Sequence, residues 1–174
     1  MPIPILETPR LLMRGHVLED FAAYSAMRAD PQVMRFIGKG EINSEEEAWA
    51  SFSRICGHWQ LVGYGSWAVE DKATHTVIGT VGFADKKRPK EHPASGAPEM
   101  GWTLASSVHG RGYATEAVRH ALAWGRAHFG PARTVCVISS ANAASIRVAE
   151  KSGFHQFATA SRYGLPRLVF ERQL

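Results

Sequence analysis

The chain has 174 residues, 45% apolar and 21% charged, with a formal charge of +4. That length predicts one compact domain, residues 1–174, with a sizeable core, and argues against a disordered chain. Its longest unbroken apolar runs, such as Val135-Cys136-Val137-Ile138, fall far short of the roughly 20 residues that cross a bilayer, which excludes a membrane-spanning helix.

The opening Met1-Pro2-Ile3-Pro4-Ile5-Leu6 lacks the basic segment and long apolar stretch of a secretion signal, so a cytoplasmic location is expected. Residues 11–14, after Pro9, read as a first short strand. Residues 20–28 carry Phe21, Ala22, Tyr24, Ser25 and Met27 at helical spacing, and Asp30-Pro31 stops them. A second short helix is predicted over 31–36, with Pro31 at the position helices tolerate best. Ser44 and Glu47 form a capping box ahead of a longer helix whose face is Trp49, Phe52, Ile55, Cys56 and Trp59, ended by Gly63 and Gly65.

Strands at 66–70 and 76–83 flank a turn and read as a hairpin. The loop over 85–98 holds the densest basic run, Lys86-Lys87-Arg88-Pro89-Lys90, which reads as a solvated loop. With the other basic residues scattered, no nucleic-acid partner is expected, although the positive balance suits a small polyanionic ligand. Then come a strand at 99–104, a glycine loop, a helix over 115–129, a strand over 133–139 and a helix over 143–152. Strands at 155–163 and 167–171 close the chain as another hairpin. Hairpins at both ends of a β-loop-α-β-α centre predict a mixed α/β sheet. Cys56 and Cys136 could pair in principle, but without an export signal they are expected to be buried free thiols. The eight histidines show no ligand spacing with an acidic partner, so no metal site is expected.

The segment richest in chemistry is Val108-His109-Gly110-Arg111-Gly112-Tyr113-Ala114, followed by Thr115-Glu116 at a helix start. Two glycines let the backbone approach a ligand, and the helix offers free N–H groups and the positive end of its dipole. Together these form an anion cradle suited to a pyrophosphate. No Gly-Lys-Ser/Thr closes the loop, and Thr115 stands where a dinucleotide motif requires glycine, so neither of those patterns applies.

The stretch His109-Gly110-Arg111-Gly112-Tyr113-Ala114 resembles the Gln/Arg-x-x-Gly-x-Gly/Ala motif of the GNAT acetyltransferases, with His109 departing at the first position. The resemblance extends to Leu6-Glu7-Thr8-Pro9-Arg10-Leu11-Leu12-Met13-Arg14, Asp30-Pro31-Gln32-Val33-Met34, Gly65-Ser66-Trp67-Ala68-Val69, Ile78-Gly79 and Glu99-Met100-Gly101-Trp102. These segments look like the branch that resembles ribosomal-protein alanine acetyltransferases. Asn142 through Phe154 resembles the family's other cofactor-contacting segment.

This resemblance implies a mostly antiparallel sheet with a splayed central parallel pair and flanking helices. It implies acetyl-CoA as cosubstrate, held by His109, Gly110, Arg111, Gly112, Tyr113, Ala114 and Thr115. Backbone groups of Trp102, Thr103 and Leu104 would pair with the pantetheine arm, which Asn142 and Ser145 would also contact. The reaction implied is direct attack of a primary amine, from a small molecule or a peptide or protein N-terminus. The Leu104 N–H would polarise the thioester carbonyl and Glu99 would take the amine proton. The tyrosine acid of many relatives is replaced by Ala149, which leaves Ser145 as the nearest hydroxyl. Acceptors would dock near residues 26–40 and 161–167, with Trp59, Tyr64 or Trp67 as pocket candidates, although all five tryptophans read mainly as core. Association as a dimer is common in the family. A non-catalytic acyl-CoA-binding sensor is the alternative reading.

Overall fold

A computed structural model describes residues 2–174. Its elements are β1 (Leu6–Glu7), β2 (Leu11–Arg14), α1 (Phe21–Arg28), α2 (Pro31–Met34), α3 (Glu45–Val62), β3 (Ser66–Asp71) and β4 (Thr76–Ala84). They continue with β5 (Glu99–Leu104), α4 (Tyr113–Phe129), β6 (Arg133–Ser139), α5 (Ala143–Lys151), β7 (His155–Arg162) and β8 (Leu165–Gln173). One mixed sheet runs β1-β2-β3-β4-β5-β6-β8-β7. Its neighbours are antiparallel except β5 and β6, which are parallel. This is the mixed α/β architecture expected from the hairpin-flanked centre.

Local chemistry accounts for most boundaries. The Ser44 side chain accepts from Glu47 N–H at 3.2 Å while Glu47 accepts from Ser44 N–H at 2.8 Å, the reciprocal capping box that starts α3. Gly63, left-handed at φ 77°, ends it. Asp30 accepts from Gln32 N–H at 2.8 Å ahead of Pro31 and so caps α2. Helix α4 begins at Tyr113, two residues before the predicted start, because Gly112 itself is the cap.

The main core lies between α4 and one face of the sheet. Ala117, Val118, Ala121 and Leu122 of α4 are buried there with Val81, Phe83 and Met100. Trp59, Trp67 and Trp124 meet edge-on, with centroids 5.0–5.7 Å apart. Trp59 and Trp67 are therefore core residues, and neither lines the cleft between β5 and β6. Trp49, predicted to be core, is 46% exposed, since α3 turns Ala48, Ser51, Phe52 and Trp59 inward instead. A smaller cluster of Tyr24, Met27 and Phe52 joins α1 to α3. Both cysteines are free; Cys136 is buried and Cys56 only partly so.

Candidate active site

The parallel pair at the centre is barely a pair. β5 and β6 meet at a single position, Glu99 opposite Val135, helped by Val135 N–H donating to Pro98 O at 3.2 Å. Beyond it β6 runs with β8, Arg133 to Ser139 against Gln173 to Arg167, and β5 stays with β4. The C-terminal ends thus diverge around a cleft of about 180 Å³. Side chains of one strand alternate between faces, and its N–H and C=O groups alternate between edges. Ala105 N–H donates to Ile78 O at 2.8 Å, on the β4 side. The backbone groups of Trp102 and Leu104 therefore point the other way, into the cleft. Those of Thr103 point toward β4, opposite Thr80. Thr103 thus cannot share the pantetheine-pairing role expected of all three residues, because its amide and carbonyl belong to the β4 ladder.

The glycine loop follows the C-terminal end of β5. A 3-10 turn over Ser106–Val108 leads to Gly110 at φ 75° and Gly112 at φ 81°, left-handed conformations that a side chain would strain. Among the described residues, no protein group accepts from the amides of residues 110–115; Glu116 N–H is the first to bond, to Gly112 O at 3.1 Å. No side chain caps α4. A row of free N–H groups at the positive end of a 17-residue helix is a ready anion site. His109 has a different part: its Nε2 bonds Leu104 O at 2.9 Å and holds the loop against the strand. The Tyr113 side chain is buried and donates to Asp71 at 3.0 Å, leaving its amide free for the cradle.

Two residues behind the cradle, Arg10 and Glu116, hold it in place, a role their local sequence does not signal. Glu116 accepts from Thr8 Oγ1 at 2.5 Å, from Arg10 N–H at 3.1 Å and from Arg10 Nε at 2.7 Å. Arg10 also donates to Arg111 O at 3.0 Å, and its guanidinium lies 4.1 Å from the Tyr113 ring centroid. A Cβ on Gly112 would come within 3.5 Å of Arg10 Nη2, so a cation stands beside the free amides. Burial pushes the Glu116 carboxyl up, and the bonds from Thr8 and Arg10 outweigh it, so its pKa lies below the ordinary value.

Asn142 and Ser145 line the cleft from its other side. The Asn142 side-chain oxygen caps α5 by accepting from Ser145 N–H at 3.0 Å, which leaves its NH2 free to donate. Ala149, one turn beyond Ser145, is fully buried in the core. Cys136 lies in the cleft wall, where burial pushes its thiol pKa up and keeps it neutral. Glu99 borders the same cleft with its side chain 11% exposed, both oxygens held by Arg88 at 2.7 and 2.9 Å. The basic run is thus not simply solvated: Arg88 folds inward over Glu99, which spacing along the chain could not reveal. Phe36 and Ile37 line the same cleft, and Arg167 steadies that segment by donating to Gly38 O at 2.7 Å. Among the described residues, no group of three or more His, Cys, Asp or Glu could hold a metal ion, and no helix is long and apolar enough to cross a membrane.

The model of the acetyltransferase (GNAT) domain family matches residues 10–155. The chain is 28% identical over 163 residues to YoaA of Bacillus subtilis (strain 168), described as an uncharacterised N-acetyltransferase; the match covers 92% of this chain and 88% of that protein. The acetyltransferase from Agrobacterium tumefaciens str. C58 superposes with a TM-score of 0.82 at 28% identity, covering 99% of this chain and 95% of that one. The fold is also that of Mycobacterium smegmatis RimJ in complex with CoA-disulfide, with a TM-score of 0.77, 19% identity, and 98% and 86% of the two chains covered. By the family match over most of its length, the chain belongs to the GNAT acetyltransferase family and is an N-acetyltransferase.

Proposed function

We propose that the chain moves the acetyl group of acetyl-CoA to a primary amine by direct attack within a ternary complex. The observation that carries this reading is the parting of β5 from β6 around a cleft, together with the free amides of residues 110–115 in the segment that follows β5. The fit to coenzyme A is good. Unpaired N–H groups and a helix dipole suit a pyrophosphate, with Arg10, itself paired to Glu116, alongside; the outward-facing N–H and C=O of Trp102 and the N–H of Leu104 suit the amide units of pantetheine. When bound, acetyl-CoA supplies an activated acetyl thioester.

The chain's own groups supply the rest. Gly110, Arg111, Gly112, Tyr113, Ala114 and Thr115 offer their amides to the phosphates. His109 holds that loop, and Asn142 offers its side-chain NH2 to the arm. The Leu104 N–H stabilises negative charge developing on the carbonyl oxygen, a donor aimed in advance. Glu99 takes a proton from the acceptor's ammonium, directly or through water, and the neutral amine so formed attacks the thioester, since free alkyl amines are mostly protonated at pH 7. Ser145, which lines the cleft one turn before Ala149, offers its hydroxyl proton to the departing thiolate.

Calorimetric titration with acetyl-CoA, with NADH and ATP as controls, tests this. Selective binding with a Kd of roughly micromolar order is expected, along with thiol release when an amine is added. Gly112→Glu, which places a strained residue and a negative charge in the cradle, should abolish that binding in a protein with an unchanged circular dichroism spectrum. Unchanged affinity would sink the cradle assignment, and binding without any turnover would leave the sensor reading.

A further inference from the structure

A second cavity of about 460 Å³ adjoins the cleft; Ser66, Ala84 and Lys86 line both. Its walls come from separate elements: Arg54 from α3, Lys86 from the loop between β4 and β5, and Arg162 from the end of β7. Among the described residues, no carboxylate lies within ion-pairing distance of these three cations. The two acids nearby are already engaged. Asp85 pairs with Lys87 Nζ at 2.7 Å, and Glu99 gives both oxygens to Arg88.

The histidines do not offset this. His58 Nε2 accepts from Asp85 N–H at 3.0 Å and its Nδ1 lies 2.6 Å from Tyr64 O, so both nitrogens serve the scaffold. His92 Nδ1 accepts from Ala94 N–H at 3.1 Å. Like charges gathered on one concave wall repel one another unless an anion joins them. Burial pushes the Lys86 ammonium pKa down; Glu99 pulls it up, and Arg54, Arg162 and Arg88 each add a smaller lowering.

We propose that the amine acceptor is a small molecule carrying an anionic group, a carboxylate or a phosphate ester, which Arg54, Lys86 and Arg162 bind in this second chamber. The amino group would lie in the cleft beside Glu99, and the anion in the adjoining space. The cavity volume suits a small ligand, and three cations on three elements select for charge more than for shape. This rests on the acetyl-transfer reading, whose cofactor cradle lies elsewhere, at the start of α4.

The test uses amines of matched length: 2-aminoethyl phosphate, β-alanine, neutral 3-aminopropanol and cationic 1,3-diaminopropane. Thiol release from acetyl-CoA is followed at low and at 0.5 M salt. The expected result is a kcat/KM roughly tenfold or more higher for an anionic amine than for the neutral one, shrinking with salt. The phosphate and carboxylate arms show which anion is meant. Arg54→Gln and Arg162→Gln should each bring that ratio toward one, while calorimetry shows acetyl-CoA binding retained, which also reports that the variants fold. Equal rates for neutral or cationic amines, or a ratio untouched by both substitutions, would overturn the proposal. A peptide amine preferred about tenfold over every small anionic amine would overturn its small-molecule part. Calorimetric binding of 2-aminoethyl phosphate, weakened by Arg54→Gln and Arg162→Gln, would uphold the chamber even if no amine released thiol; the transfer reading alone would then fall.

Discussion

Glu99 serves two neighbours at once. Its oxygens hold the Arg88 guanidinium, and the same side chain borders the cleft in which the proposed reaction takes a proton from an amine. A base that works on an ammonium matters most where that ammonium is abundant. Glu99→Gln is expected to lower kcat about 100-fold below pH 8, with acetyl-CoA affinity within about twofold, as general-base removal commonly does. Steady-state kinetics across pH would check this. A rise confined to the acceptor KM would make Glu99 a support for Arg88, and unaltered rates would remove it from the mechanism. The sequence pointed to Glu99 through its place at the head of β5, but its ion pair was hidden because Arg88 lies 11 residues away in an irregular loop.

At the scale of elements, α4 is set in place by a chain segment more than 100 residues earlier. Thr8, Arg10 and Glu116 tie the β1–β2 turn to the first turn of α4, so the cradle amides depend on a contact outside the cradle. Glu116→Ala leaves the buried Thr8 hydroxyl and the Arg10 N–H groups without their carboxylate. Urea unfolding should show a loss of about 2 kcal/mol, allowing for the solvent exposure of Arg10, and acetyl-CoA should bind roughly tenfold more weakly. A stability within about 0.5 kcal/mol of the unsubstituted protein would show the tie to be dispensable. The capping box of α3 was legible because Ser44 and Glu47 are four-letter grammar. The start of α4 was misplaced because a left-handed glycine cap carries no side-chain signal.

At the scale of the whole molecule, the region under α1 stores a sensitivity to acid. The His16 side chain is 2% exposed, its Nδ1 lacks a hydrogen-bond partner among the described residues, and Asp20 lies 3.9 Å away. Its ring packs against Phe52 at 5.4 Å and Tyr24 at 6.4 Å. Burial lowers its pKa from the ordinary 6.5 to about 4, with Asp20 opposing and Arg14 assisting. The unfolded chain therefore binds a proton that the folded chain refuses between these values, and stability falls as pH drops through that window. Chemical unfolding should show on the order of 2 kcal/mol less stability at pH 5 than at pH 7.5 from this residue. His16→Phe should remove most of that difference; an undiminished acid loss would place its source elsewhere.

The sequence by itself determined the order of elements, the hairpins at either end and the glycine loop, because periodicity, caps and φ-permissive residues act within a few positions of one another. It also carried the resemblance that names the family. Only the tertiary structure decided which groups meet. Strand pairing turned the backbone of Trp102 and Leu104 into the cleft and that of Thr103 away from it. Helix packing took Trp59 and Trp67 into the core and left Trp49 outside. The loop after β4 brought Lys86 and Arg88 from a basic run to the wall of a cavity. These outcomes depend on contacts between residues far apart in the chain, where no local preference acts and only the closing of the fold sets distance and charge.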